Sequence, residues 1–245
     1  MKTVVILLFT VIATTKTLDL PSNFKLCKKS DPKTLECLPD AIRDAIISMA
    51  DGLKSFKILP LEPLAVNSVK IGESQGSVSL KQEYRNVKVH GLTKGLHLSS
   101  DQIDWDNLIF KLESFNPQVD FIADYKLEGR ILLLSVQGEG KCNLILYNVT
   151  TKHDVRFKKF QKDGETYLRA VNFFIKLIPE HVTLHFDNLF NENIFLGEEM
   201  DRFINTNSDL LFKDFQASFE ETFSLVFIKI TNDIFSRVPM NKIFL

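Results

Sequence analysis

The chain has 245 residues, which is enough for one large domain or two small ones. Its 30 basic and 31 acidic residues give a formal net charge of −1, and no run of like charge is long enough to form a patch. Because nucleic-acid-binding proteins usually carry a basic surface, we expect no nucleic-acid partner. The composition is unusual in its 21 phenylalanines. Phenylalanine adds a large apolar area without a polar group, so a packed core and an apolar cavity are both consistent with it.

Residues 1–17 are predicted to be a secretory signal peptide. Lys2 is followed by an apolar run over residues 4–9 and by small residues around Ala13, which are the three parts expected of such a leader. The apolar stretch, about ten residues, is too short to cross a bilayer core of roughly 30 Å as a helix. We therefore expect a single secreted domain over residues 18–245, in an oxidising compartment and without stable membrane insertion.

The cysteines support this compartment. Cys27 and Cys37 lie just behind the leader and are predicted to form a disulfide across a small loop that turns at Asp31-Pro32; such a bridge contributes about 2–3 kcal/mol. Cys142 is left over in an alternating segment, which predicts a buried apolar residue rather than a reactive thiol. No metal site is expected, because the chain has no Cys-x-x-Cys pair and its histidines are dispersed.

The first predicted helix is followed by a long region of strands. Pro39 and Asp40 are predicted to open a helix over residues 41–49, where apolar side chains recur at helical spacing. From about Val66 to Phe186 apolar and polar residues alternate with a period of two. This alternation indicates antiparallel strands with one buried face.

Within the strand region, residues 119–127 show the clearest alternation. The glycine-containing segments Glu128-Gly129 and 137–140 are predicted to be turns between long hairpins.

The chain is predicted to close with two helices, a short one over residues 197–204 and a much longer one capped by Asn207-Ser208. The longer helix would reach about 40 Å, and its apolar stripe needs an equally long sheet to cover it. The predicted fold is therefore α+β, with an elongated, strongly curved antiparallel sheet wrapped around a long helix. The stripe has steps of three and four residues: Phe212, Phe215, Phe219, Phe223, Val226, Ile230 and Ile234.

One motif raises the question of catalysis. Residues 72–76 match Gly-x-Ser-x-Gly, the nucleophile turn of α/β-hydrolases, with Ser74 as the candidate nucleophile. That turn requires a helix after the serine, whereas residues 77–84 alternate like a strand, and the chain lacks the strand–helix rhythm of a parallel sheet. We predict a turn between strands and no catalytic residue.

Asn148 begins the sequon Asn-Val-Thr and is a candidate for N-glycosylation. An occupied and an unoccupied sequon are both open at this point.

The order and spacing of several short segments resemble those of the takeout and juvenile-hormone-binding protein family of insects, over nearly all of the mature chain. The matching features are the Cys27/Cys37 pair, the connector 59–64, the strand end 86–92, the segment 138–143, the segment 188–193 and the helix end at Val238-Pro239.

The resemblance implies a tubular lipid-binding fold, in which the long helix and curved sheet surround a hydrophobic tunnel. It also implies noncovalent carriage of a small apolar ligand, such as a juvenile hormone, a fatty acid or another lipid, with no catalysis and no cofactor. Juvenile-hormone-binding proteins proper carry a second disulfide, and only Cys142 remains for one here, which favours a takeout-like member.

The leading hypothesis is thus a secreted, monomeric carrier of a small hydrophobic ligand. Two alternatives stay open: an interaction protein that binds a receptor or another secreted protein, and an extracellular esterase that uses Ser74. Each candidate tunnel residue could equally belong to a plain packed core. The candidates are Val119, Phe121, Tyr125, Phe173, Phe215, Phe219 and Phe223.

Overall fold

The computed structural model describes residues 18–72, 78–131, 134–189 and 194–245. The strands are β1 (Leu64–Ile71), β2 (Val78–His90), β3 (His97–Asp104), β4 (Ile109–Ile131), β5 (Leu134–Lys162), β6 (Glu165–Ile178) and β7 (His181–Phe186). The helices are α1 (Thr34–Ser48), α2 (Ile194–Thr206), α3 (Ser208–Phe235) and α4 (Met240–Ile243), with a short 3-10 turn at Lys54–Phe56.

The seven strands form a single antiparallel sheet built on one long hairpin. Strand β4 has 23 residues and β5 has 29, and they pair from Ile109 opposite Arg156 to Ile131 opposite Leu134. Straight strands of this size would extend about 75 Å. The sheet order is β1-β2-β4-β5-β6, while β3 pairs with β4 and β7 pairs with β5. Each long strand therefore has one outer neighbour near the open end of the hairpin and another near its tip.

One face of this sheet is buried, as the alternation predicts. In β4, Phe121, Ala123, Tyr125 and Leu127 are each 3–4% exposed, whereas the residues between them face outward and are partly or largely exposed.

Helix α3 covers the buried face. Its 28 residues give a length of about 42 Å, and Phe212, Phe215, Phe219 and Phe223 on one side of it are buried. The predicted long helix and its apolar stripe are confirmed.

Side chains of the helical region also satisfy free backbone groups of two edge strands, β6 and β7. Asn232 donates its Nδ2 to Ala170 O at 3.0 Å and accepts the Ala170 N–H at 2.8 Å. On β7, the Val182 N–H donates to Asp209 at 2.8 Å. Exposed strand edges invite pairing with other chains, so these contacts close the sheet onto the helix.

Three local predictions were wrong. Helix α1 begins at Thr34 and runs through Pro39 instead of starting there. The turn before the proline is held by contacts that local periodicity does not show: the Cys27–Cys37 disulfide and the hydrogen bond from Thr34 Oγ1 to Lys28 O at 2.7 Å.

The predicted turns at Glu128-Gly129 and 137–140 lie inside β4 and β5. Their glycines serve close approach instead. A Cβ atom on Gly138 would lie 2.8 Å from Asn188 O, and one on Gly140 would lie 2.6 Å from Asp187 O. Because real Cβ atoms do not come this close, any larger residue would push the chain after β7 away from β5.

The predicted cap of the long helix is also different. Asn207 makes no side-chain cap at α3, and its Nδ2 instead donates to Phe203 O at 2.9 Å in the preceding helix. Ser208 Oγ donates to the carbonyls of Val182 and Asn205. The serine thus ties the helix start to strand β7, a tertiary contact that local sequence does not reveal.

Candidate ligand-binding cavity

A cavity of about 340 Å³ lies between the sheet, α1 and α3. This volume falls within the range of small-molecule pockets in proteins, roughly 300–1,000 Å³. Almost all of its surface is apolar. The apolar face of α1 provides one wall, because its residues at helical spacing point to the interior: Leu38, Ala41, Ile42, Ala45, Ile46 and Met49.

The segment around Cys27 and the C-terminus both contribute to the wall at the α1 side. Phe244 lines the cavity and forms a backbone bridge with Cys27. The Leu245 N–H donates to Cys27 O at 3.0 Å, and the Lys29 N–H donates to Leu245 O at 2.8 Å. The predicted Cys27–Cys37 disulfide is present, with its Cα atoms 5.9 Å apart. It thereby joins α1, the N-terminal segment and the C-terminus around the cavity.

The structure brings together Val119, Phe121, Phe173, Phe219 and Phe223, all of which line the cavity. Their contact with a ligand stays a prediction.

Tyr125 and Phe215 are not among the residues that line this cavity, and their contact with a ligand stays a prediction. Tyr125 packs on Phe186 with ring centroids 5.1 Å apart, and its hydroxyl donates to Asp187 O. Phe215 packs between Phe212 and Phe219. Alternation shows which face of a strand is buried, but it does not show where along the strand the interior is filled.

Four polar side chains interrupt the part of the wall that the sheet provides, and we call them the polar strip: Ser114 and Asn116 on β4, with Thr151 and His153 on β5. Ser114 is directly opposite Thr151 in the ladder, and Leu112 is opposite His153. Ser114 Oγ and His153 Nε2 are 2.8 Å apart. Asn116 Nδ2 donates to the carbonyl oxygens of Gly91 and Leu92 at 2.9 and 3.2 Å.

Sequence reasoning missed the polar strip, although a signal was present. The signal is local: Ser114 and Asn116 continue the face of Leu112, and Thr151 and His153 lie between Val149 and Val155 on one face. The alternation of residues 119–127 does not extend to them, because the buried positions of β4 change from odd to even numbers between Val119 and Asn116.

His153 is the titratable group of the strip. Burial disfavours the charged imidazolium and lowers the pKa of His153 to about 4. Its ring lies edge-on to Phe173, with centroids 6.0 Å apart. At neutral pH the imidazole is therefore uncharged, and the exposed part of the residue faces the cavity.

The Ser114–His153 pair resembles part of a hydrolytic site, but in the described residues it differs from such sites in two respects. A nucleophilic serine needs a base that is itself oriented by a third group, and no described residue hydrogen-bonds to His153 Nδ1. A pKa of about 4 also makes the imidazole a weak base at neutral pH. Ser74, the other candidate nucleophile, lies outside the described residues.

The remaining predicted features are on the far side of the sheet or away from the cavity. Cys142 is a free, buried cysteine, and burial raises the pKa of its thiol to about 12. Asn148 is exposed, and its Nδ2 donates to Glu180 Oε2 at 2.6 Å; its glycosylation stays a prediction.

The described residues 18–72, 78–131, 134–189 and 194–245 contain neither a candidate membrane-spanning helix nor a candidate metal site. None of the helices there combines the length and apolar content that a membrane span needs. No three or more His, Cys, Asp or Glu side chains there are grouped to hold a metal ion.

The chain is similar to known proteins over most of its length. The circadian clock-controlled protein daywake of Drosophila melanogaster is 25% identical over 233 residues, covering 91% of this chain and 88% of that protein. Daywake of Drosophila yakuba is 24% identical with the same coverage. The crystal structure of Takeout 1 from Epiphyas postvittana superposes with a TM-score of 0.76 at 20% identity, covering 85% of this chain and 95% of that one. The predicted α+β fold, a long helix in a curved antiparallel sheet, is thus confirmed.

The family model described as haemolymph juvenile hormone binding protein matches residues 5–245, nearly the whole chain. The chain belongs to the haemolymph juvenile hormone binding protein family, with the fold seen in Takeout 1.

Proposed function

We propose that this protein is a secreted carrier that holds one small apolar ligand noncovalently in its cavity. The observation that carries the proposal is the cavity of about 340 Å³ with its almost wholly apolar lining. Transfer of about 300 Å² of apolar ligand surface from water contributes roughly 7 kcal/mol, before the loss of translational freedom is subtracted. A ligand without strong polar contacts can thus be retained by burial alone.

Three other observations support this function. Membership of a family named for haemolymph and for hormone binding agrees with an extracellular carrier of a lipid-like molecule. The leader-like residues 1–17 and the Cys27–Cys37 disulfide agree with passage through an oxidising compartment. The candidate ligands are a juvenile hormone, a fatty acid or another lipid.

Native mass spectrometry of the protein secreted from insect cells tests the proposal. We expect an adduct on the order of a few hundred daltons that leaves on organic extraction and can then be identified. An unliganded mass, together with failure to bind a panel of fatty acids and terpenoids, would contradict carriage and favour an interaction protein instead.

A further inference from the structure

The polar strip lies partway along the wall that the sheet provides, which is otherwise apolar. On β4 it follows Phe110 and Leu112 and precedes Val119, and on β5 it lies between Val149 and Val155; all of these line the cavity. Polar side chains in such surroundings carry a desolvation cost unless they find hydrogen-bond partners. A wall that served only to exclude water would have apolar residues at these positions as well.

The strip has hydrogen-bonding capacity that the protein itself does not use. Among the described residues, no group hydrogen-bonds to Thr151 Oγ1 or to His153 Nδ1. Neither atom is among the fully buried side-chain atoms without a hydrogen bond, which in the described parts of the chain are Asn143 Oδ1, Asp154 Oδ1 and Ser236 Oγ. Both residues line the cavity, so these two atoms are available to whatever fills it.

The strip offers no charge to a ligand. His153 is neutral at neutral pH for the reason given above. The cavity lining includes one lysine, Lys25, which is exposed on the N-terminal segment and lies 3.8 Å from Asp40. A carboxylate placed at the strip would therefore be a buried and unpaired charge, which is strongly unfavourable.

We propose that the polar strip binds an uncharged oxygen group of the ligand, an alcohol or an ester, while the rest of the cavity takes its hydrocarbon. The Ser114 hydroxyl can donate to His153 Nε2 or accept from it. Because a neutral imidazole carries one N–H, the direction of this hydrogen bond decides whether Nδ1 is protonated. Nδ1 then presents either an N–H to an ester carbonyl or a lone pair to an alcohol O–H. The proposal rests on the proposed carrier function and adds the chemical class of the cargo.

Displacement of the uncharged probe N-phenylnaphthylamine by four ligands of one chain length tests it: dodecane, dodecanol, methyl dodecanoate and dodecanoate, at neutral pH. In Thr151→Val, which keeps the side-chain shape, we expect about three- to tenfold weaker binding of dodecanol and the methyl ester. Dodecane should bind the variant as well as it binds the original protein, which also shows that the variant is folded.

Thr183→Val is the matched control, because Thr183 lies on β7 and is not among the residues that line the cavity; it should leave all four affinities unchanged. His153→Leu is a second variant that should give the same selective loss as Thr151→Val.

The outcomes separate the two proposals. If the original protein binds none of the ligands, dodecane included, the carrier function itself is wrong. If it binds them but Thr151→Val and His153→Leu change no affinity, or change those of dodecane and dodecanol equally, the strip proposal is overturned and carriage stands. Dodecanoate that binds as tightly as dodecanol would overturn the requirement for an uncharged group.

Discussion

The two halves of the β4–β5 hairpin are made from the same alternating sequence pattern, yet buried side chains lie behind one half and a cavity lies behind the other. Towards the tip, the interior contains Tyr84, Tyr125 and Cys142, which are 0–3% exposed. Towards the open end, from residue 109 to 121 on β4 and from 144 to 157 on β5, the inward side chains line the cavity. Burial on one sheet face therefore does not by itself decide whether the space behind that face is filled.

The boundary between the halves is an aromatic cluster. The ring of Tyr84 lies 5.3 Å from that of Phe121 and 5.8 Å from that of Phe219, and both phenylalanines line the cavity. In the tip half, Gly138 and Gly140 let the chain after β7 approach β5. The buried rings of Tyr84 and Tyr125 and the close backbone packing occupy the tip half, whereas the other half keeps a cavity although many of its lining residues are phenylalanines.

The halves also treat buried polar groups differently. At the tip, the Tyr84 hydroxyl donates to Gln82 Oε1 at 2.7 Å and the Tyr125 hydroxyl donates to Asp187 O, so the protein satisfies its own groups. At the cavity, Thr151 and His153 keep capacity that no described residue uses. We therefore expect substitutions at the tip to change stability and those at the cavity to change ligand binding.

The largest effect is expected from Tyr84→Ala in the tip half. It removes a fully buried ring and leaves Gln82 without its partner, so the free energy of unfolding should fall by about 3–5 kcal/mol. Phe173→Ala on the cavity wall is the control and should cost about 1–2 kcal/mol, because that ring is already partly accessible. Urea unfolding measures both, and equal losses would show that the two halves are packed alike.

A pH dependence of stability is expected from His153 in the cavity half. The unfolded chain binds a proton at this residue near pH 6.5, whereas the folded protein binds it only near pH 4. The free energy of unfolding should therefore fall by up to about 3 kcal/mol as the pH goes from about 6.5 to 4, with no further change from this group below that.

Urea unfolding of the original protein and of His153→Leu at several pH values checks this sign. The variant should lose most of the slope in this window, and His97→Gln, at an exposed histidine, should keep it. A slope that is the same in His153→Leu would mean that the imidazole is not buried in the folded protein.

The smallest of the three effects is expected from filling the cavity. Ala45 lines it from α1, and Ala45→Phe should weaken ligand binding about tenfold or more, because overpacking costs about 1–3 kcal/mol when the ligand is present. Ile47 is 43% exposed and lies on the outer side of the same helix, so Ile47→Phe should leave binding unchanged. Equal binding by both variants would place the ligand outside this cavity.

The features that could be predicted from the sequence are those that depend on residues close together in the chain. Periodicity of two identified the strand region and the inward side of β4, and steps of three and four identified the stripe of α3, because such patterns depend only on local geometry. The Cys27–Cys37 bridge was likewise predictable from two nearby cysteines and a leader.

The start of α1 and the role of the glycines were not predictable in this way. Thr34 and Cys37 are held by residues before the helix, and Gly138 and Gly140 meet the backbone of a segment some fifty positions further along the chain. The same holds for the site: Phe121 and Phe219 line the cavity, whereas Tyr125 and Phe215 belong to the packed core.

The sequence by itself determined only the local alternation, which puts Ser114 on the same strand face as Leu112 and Thr151 on the same face as Val149. Only the tertiary structure decided that these groups face open space, because a cavity is what remains after side chains from distant elements have packed. Whether Tyr84 from β2 and Phe215 from α3 fill a given level of the hairpin depends on their positions in three dimensions, which no local pattern records.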